Sequence, residues 1–394
     1  MPLNLASPGI LVREVDLTVG RVDPTSAGIG AIVAPFAQGP VGEPTLIEND
    51  KDLLDTFGKP YSNDKHYENW MVASSYLSYG GALEVVRADD SGLVNSFSGD
   101  VGVSSVKIRS VEHYEALGYD ESPLVNVTVA ARNPGTWGDG LRVGIIDSKA
   151  DQILTLAATN NVAVGMGITQ AFSAILPGAG STSVLDGELK GIVTEVNGTD
   201  ISVKVLEHVS AANVVTEVDY QPSGVYQFSS ASNVAIHTAG QTTSYASTSV
   251  TAEKDWFDQQ TLQITATSSI KWNSVAERPG TSQYAASRGS RFDEVHVVVI
   301  DGDGAITANS GTILEKNLSL SKAKDAEFSL GSPSHYRKNI KESSNFIFAL
   351  SSPAGIVTTG FDKGTFDLES DVAWDQNAEG ITFAGCGNTT LVLS

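Results

Sequence analysis

The sequence predicts a mixed fold, an α+β or α/β platform with an inserted all-β lobe of sandwich or barrel-like form. Three observations carry this. A strand, two helices and a second strand follow one another between Ala27 and Ala88. Short alternating runs rich in Thr, Ser, Val, Gly and Ala then occupy residues 149–288. Buried-strand character returns at Phe292–Ile300 and at Phe346–Leu350. The platform is therefore expected to be discontinuous: residues 27–148 plus 289–394, with a small excursion at 93–123 and an N-terminal arm at 1–26.

Residues Ile10, Leu11, Val12, Arg13, Glu14, Val15, Asp16 and Leu17 read as a strand set apart by Pro8-Gly9 and by a spacer reaching Pro24. Such a strand must pair with something. Read from the residues alone, it is an edge strand of its own domain. The run Ala27–Phe36 reads as a buried strand, with Pro35 at its end. Asn49 is an expected N-cap, Leu53 and Phe57 share a face, and Gly58 with Pro60 is a stop signal. A second helix is expected from Asn63 or Asp64, with Tyr67, Trp70, Met71, Ser74 and Leu77 as its buried face and Gly80-Gly81 as its end. Ala82–Ala88 closes the unit as a strand.

Val101–Ile108 alternates and predicts a strand or two in the excursion. Leu124–Ala130 and Leu141–Ile146 flank a turn built on Pro134, Gly135, Thr136, Trp137 and Gly138. Proline presets the turn, glycine permits positive φ, and the indole can staple the turn to the sheet. Inside the lobe, Gly191–Val196 and Ile201–Leu206 are separated by Asn197-Gly198, hairpin chemistry, and Leu262–Thr267 is a further strand. Asp301-Gly-Asp-Gly304 turns the chain, and Gly311–Lys316 and Ser321–Phe328 read as helical or mixed. Thr389–Ser394 is an apolar strand.

Composition bounds the function. With 394 residues, 41% hydrophobic and 18% charged, the chain is globular and long enough for two or three packed units. Its net charge of −21, from 25 basic and 46 acidic residues, argues against nucleic-acid binding, which needs a basic stripe. The single cysteine, Cys386, permits no internal disulfide and reads as a small buried side chain. Met1–Ser7 lacks the basic region of a secretory signal, and no segment has the apolar length to span a membrane. The expected setting is cytoplasmic assembly without membrane insertion.

No catalytic, cofactor-binding or metal-ligating constellation is legible. Histidines 66, 113, 208, 237, 296 and 335 are scattered, and His296 reads as a satisfied sheet histidine. Asp301-Gly-Asp-Gly304 fails the EF-hand pattern, since Ala305 and Thr312 occupy the fifth and twelfth positions. Asp367, Glu369 and Asp371 read as solvated acids. There is no nucleophile elbow, phosphate-binding loop or dinucleotide fingerprint.

Several phrases together resemble the contractile tail sheath proteins of phages and related injection machines. These are Ser7–Ile10 with Arg13–Val15, Gly39–Pro44, Phe57-Gly58, Tyr79–Ala82 with Val85–Ala88, Pro134–Gly138 and Arg278–Thr281. The resemblance implies a structural, non-enzymatic subunit that forms hexameric rings around a tail tube and rearranges on contraction. It implies the tube, baseplate and tail terminator proteins as partners, a place in the virion, and no cofactor. It also implies that Ile10–Leu17 is an arm adding a strand to a neighbour. Sheath proteins normally continue beyond the equivalent of Ser394 into a C-terminal domain, so a fragment is expected. The competing reading is a β-rich binding module, an adhesin or carbohydrate binder, acting through the lobe.

Overall fold

The computed structural model describes residues 28–60, 66–99, 105–119, 124, 127–147, 151–163, 166–175, 184–218, 225–238, 241–252, 256–287, 290–323, 326–350, 381–382 and 388–393. Strands dominate. The expected arm Ile10–Leu17, the helix start at Asn63 or Asp64, Cys386 and the acids Asp367, Glu369 and Asp371 lie outside the described residues.

The first unit contains β1 (Gly30–Ala34), β2 (Pro44–Ile47), α1 (Asp50–Phe57), α2 (Tyr67–Leu77) and β3 (Leu83–Arg87). Its sheet runs β1-β3-β2, with β1 parallel and β2 antiparallel to β3. Asn49 caps α1 by accepting from the Asp52 N–H at 2.9 Å, and Gly58 ends it at φ 79°. Leu53, Phe57, Ala73, Leu77, Leu83 and Val85 form the core, with Trp70 half-buried against it. The expected face of α2 is therefore corrected in part, since Trp70 and Leu77 pack inward as expected. Ala73 and Leu77 point inward, whereas Tyr67 and Met71 are 36% and 40% exposed. The narrow sheet offers α2 a stripe one residue wide per turn, too little to cover both flanks.

The chain continues through β4 (Phe97–Gly99), α3 (Val111–Ala116) and β5 (Val127–Ala131). In the excursion, only an isolated bridge at Val106 is strand-like within residues 105–108, and the sequence reading missed α3. Ser110 caps that helix by accepting from the His113 N–H at 3.2 Å. Next, β6 (Leu141–Asp147) leads into a lobe made of β7 (Gln152–Leu156), β8 (Gly167–Ile175), β9 (Val184–Asn197), β10 (Asp200–Ser210), β11 (Val215–Glu217), β12 (Val234–Thr238), β13 (Gln241–Tyr245) and β14 (Ser247–Ala252).

The lobe's main path is β13-β12-β8-β9-β10-β7-β14, and β11 pairs with β10. The edge strands β13 and β14 are separated in sequence by Ala246 alone, so the two ends of the sheet meet and the sheet curls into a nearly closed barrel. Gly198 takes φ 62° at the β9–β10 turn, as its hairpin chemistry requires. Leu154, Ile168, Leu189, Val193, Ile201 and Val203 fill the barrel.

After the barrel come α4 (Trp256–Gln259), β15 (Thr261–Gln263), β16 (Ser269–Lys271), α5 (Gln283–Ala286), β17 (Ser290–Arg291), β18 (Glu294–Asp301) and β19 (Thr312–Ser321). The chain ends with β20 (Glu327–Ser329), β21 (Ser332–Pro333), α6 (Tyr336–Ser343), β22 (Ile347–Ala349), β23 (Ile381–Thr382) and β24 (Asn388–Val392). A division of the chain at residue 288 would put Leu262 and Trp272 in the lobe. Their side chains instead pack with Ile146, Val298 and Ile300 on one face of the β19-β18-β6-β24 sheet. Gly144 permits this approach, since a Cβ there would lie 2.1 Å from Leu262 Cδ1 and 3.2 Å from Trp272 Cζ2.

The opposite face of the sheet packs Val143, Ile145, Val295, Val297 and Val299 against Tyr336, Ile340, Ile347 and Ala349. Burial on both faces explains the apolar run Val297–Ile300 of β18. Of the two stretches expected to be helical or mixed, Gly311–Lys316 is corrected, since β19 spans Thr312–Ser321. Of Ser321–Phe328, the described residues hold the end of β19, a bend at Lys322-Ala323 and the start of β20. The six expected platform strands divide among three sheets, β1 and β3 in one, β5 and β22 in another, β6 and β18 in the third. One core joins the last two sheets through Val129, Ala131, Val143 and Ile347.

Candidate functional site

The turn at Pro134–Gly138 sits at a crossing of three chain segments. Gly135 has φ 134° and ψ 160°, a conformation that in practice only glycine adopts. Its N–H donates to Val94 O at 2.8 Å, and its carbonyl accepts from Ser96 Oγ at 3.2 Å. Ser96 Oγ also donates to Asp139 Oδ1. A Cβ on Gly135 would lie 2.7 Å from Ala37 O and 3.1 Å from Arg87 Nη2. Trp137 donates from Nε1 to Asn133 O at 3.1 Å and is half-buried against the core beneath.

Two further residues hold the crossing together, and the sequence reading passed over both. Asn95 is buried. Its Nδ2 donates to Ile108 O at 3.0 Å and Ala131 O at 2.8 Å, while Oδ1 accepts from the Ile108 N–H at 2.7 Å. Arg87, at the end of β3, is 2% exposed and donates to Phe36 O at 2.8 Å, Gly39 O at 2.9 Å and Ala37 O at 3.1 Å. Burial pushes its guanidinium down to about 10, with Asp89 pulling weakly the other way. The available signal was that Arg87 stands in the same alternation as Leu83 and Val85, the buried positions of β3, whereas Glu84 does not. Arg87 braces the loop of the first unit that lies against Gly135, and Asn95 ties the entry to β4 to the end of β5, beside a cleft of about 1560 Å³ bordered by Pro40, Leu54, Arg132, Trp137 and Phe346 among others.

This geometry fixes backbone and leaves no reactive constellation. Replacing Gly135 with Ala is expected to destabilise the protein by about 2–3 kcal/mol, through backbone strain and the contact with Ala37 O. Urea denaturation checks this, and a loss below ~0.5 kcal/mol would show that the loop yields freely.

A second polar cluster lies where the barrel joins the four-stranded sheet. Lys322 Nζ and Asp147 Oδ2 are 2.6 Å apart, with both side chains 0% exposed. Asp293 accepts from the Ser282 N–H at 2.8 Å, from Ser282 Oγ at 2.7 Å and from Ser321 Oγ. Asp151 Oδ2 accepts from the Val205 N–H at 2.9 Å. Lys204 is buried with its ammonium 4.1 Å from the centroid of the Phe292 ring. Burial pushes Lys204 down to about 8, opposed by Asp151 and Asp147 and reinforced by Lys322 and Arg278.

A folded-state value of about 8, below the ordinary 10.5, means that the unfolded chain binds the extra proton between those values. Stability supplied by this group therefore rises with pH across that window. The parent should gain roughly 2 kcal/mol more than Lys204→Met between pH 8 and pH 10, read by urea denaturation at each pH. Parallel curves for the two proteins would refute the assignment.

Elsewhere, His296 fits a neutral sheet histidine. Its Nδ1 accepts from the Ser319 N–H at 2.9 Å, its Nε2 lies 2.8 Å from Glu277 O, and burial lowers its pKa. Asp301 organises its turn by accepting from the N–H groups of Gly304, Ile306 and Thr307. Among the described residues, no group of three His, Cys, Asp or Glu side chains could hold a metal ion, and no helix is long and apolar enough to cross a membrane.

No family model matches the chain. The tail sheath protein of Enterobacteria phage T4 is 36% identical over 88 residues, which is 22% of this chain and 13% of that protein. The tail sheath protein of Vibrio phage KVP40 is 28% identical over 168 residues, 41% of this chain and 21% of that protein. The tail sheath protein of Salmonella phage ViI is 23% identical over 362 residues, 89% of this chain and 50% of that protein. The chain thus spans at most half the length of these relatives. A solved sheath tail protein from Listeria innocua covers 58% of this chain and 35% of its own, at 12% identity and a TM-score of 0.18, a superposition too loose to bear on the fold. In sequence, this chain is similar to the tail sheath proteins of three bacteriophages.

Proposed function

We propose that the protein is a structural subunit of a contractile tail sheath. Copies assemble into hexameric rings stacked around a tail tube and rearrange on contraction to drive the tube through a target envelope. The observation that carries this reading is the similarity to a tail sheath protein along 89% of the chain, through the barrel as well as the sheets around it. The described polar sites fit it, because each fixes backbone or closes a sheet. In this reading the subunit has no enzymatic activity and assembles in the host cytoplasm. Its partners are other copies of itself, the tube, the baseplate and the tail terminator.

The segment Ile10–Leu17 is proposed as the link to a neighbouring copy by strand addition, which supplies main-chain hydrogen bonds without requiring apolar area. Such a link suits a chain whose net charge of −21 opposes casual self-association. The turn Pro134–Gly138 is proposed as purely structural.

Immunogold labelling of purified particles with antibodies raised against the barrel tests the assignment. Label repeating along the whole tail shaft is expected. Label confined to fibres or to the particle's distal tip would instead support a binding module.

A further inference from the structure

The barrel carries its own core, built from residues between Leu154 and Val250. This core is distinct from those on the two faces of the four-stranded sheet. One apolar cluster draws on both: Ile192 of β9 and Leu206 of β10 bury Phe292, which directly precedes Asp293 and β18. Phe292 is 3% exposed and holds φ 61°, a left-handed conformation that a bulky side chain rarely adopts.

The backbone that carries Phe292 is tied to the sheet side. Its N–H donates to Thr281 Oγ1 at 3.0 Å, and the next residue, Asp293, is held by Ser282 and Ser321. The ring itself points the other way, into the outer wall of the barrel, where Lys204 sets its ammonium over the ring face. One aromatic side chain carried on a backbone tied to the sheet side therefore packs into the outer wall of the barrel.

We infer that Phe292 is a latch: it holds the β7–β14 barrel in one orientation against the four-stranded sheet, and its withdrawal lets the barrel swing while both bodies stay folded. The inference stands apart from the sheath reading. Within a sheath, a latch would let the barrel follow its neighbours while the sheet stays in place.

Pulsed electron–electron distance measurements test this on the full chain. Spin labels go on Thr243→Cys of β13 and Glu342→Cys of α6, with Cys386→Ser removing the native thiol. The parent should show one narrow distance distribution. Phe292→Gly keeps the left-handed backbone and removes the plug, and should widen the distribution about twofold or more, with unchanged far-UV circular dichroism. Phe292→Leu should fall between the two. A Phe292→Gly distribution as narrow as the parent's, at the same mean, would overturn the latch. So would loss of strand signal in that variant, because the contact would then be needed for folding. A parent distribution already as broad as that of Phe292→Gly would overturn it equally.

Discussion

Lys322→Met is expected to cost about 3–5 kcal/mol of stability, because it strands the Asp147 carboxylate in a fully buried site. The pair sits at the end of β6 and just past β19, with β18 between them, so it closes the sheet at the point where the chain leaves for the barrel. The Lys322 N–H also donates to Asp293 O at 2.8 Å, which holds the ammonium's own backbone in place. Desolvation decides the sign of each change. A buried pair gains little over an apolar pair of similar volume, whereas half a pair is strongly unfavourable. Asp147→Leu combined with Lys322→Met should therefore recover most of the loss. Urea denaturation of the single and double variants separates these cases. A single-variant loss below ~1 kcal/mol would mean that water reaches the site.

How far the sequence could be read depended on whether one periodicity dominated. β9 and β10 were legible from their alternating stretches Gly191–Val196 and Ile201–Leu206, and β18 from its apolar run Val297–Ile300. The start and stop of α1 were legible because Asn49 and Gly58 are local signals with local causes. β19 was misread. Ile313 and Leu318 pack on one face of its sheet while Leu314 and Leu320 pack on the other, and two irregularities in the β18–β19 register break the alternation. The resulting spacing imitates a helix. α6 was missed because Tyr336 and Ile340 are its only apolar residues, too few to show a period. The crossing around Gly135 was half legible. The turn was visible in Pro134–Gly138, but Asn95 and Arg87 act on carbonyls far away in sequence, and pairings of that kind leave no local trace.

Arg87→Met should be the most damaging change in the first unit, at about 3–5 kcal/mol. The guanidinium satisfies three carbonyls on one loop, those of Phe36, Ala37 and Gly39, and removing it leaves buried acceptors without a donor at roughly 1–3 kcal/mol each, partly relieved by relaxation. Methionine matches much of the apolar stem, so the loss reports hydrogen bonding more than volume. Arg87→Lys provides the sharper comparison. It keeps the charge but replaces a planar fork by a single ammonium, which cannot reach three carbonyls spread along a bend. It should therefore retain less than half of the lost stability. The damage should also spread: the Gly42 N–H donates to Arg87 O, and Ala37 O lies against Gly135, so amides of residues 36–42 and 94–96 should lose hydrogen-exchange protection together. If Arg87→Lys were as stable as the parent, the three carbonyls would need only a nearby charge. The forked geometry would then have no part in holding the first unit to the turn.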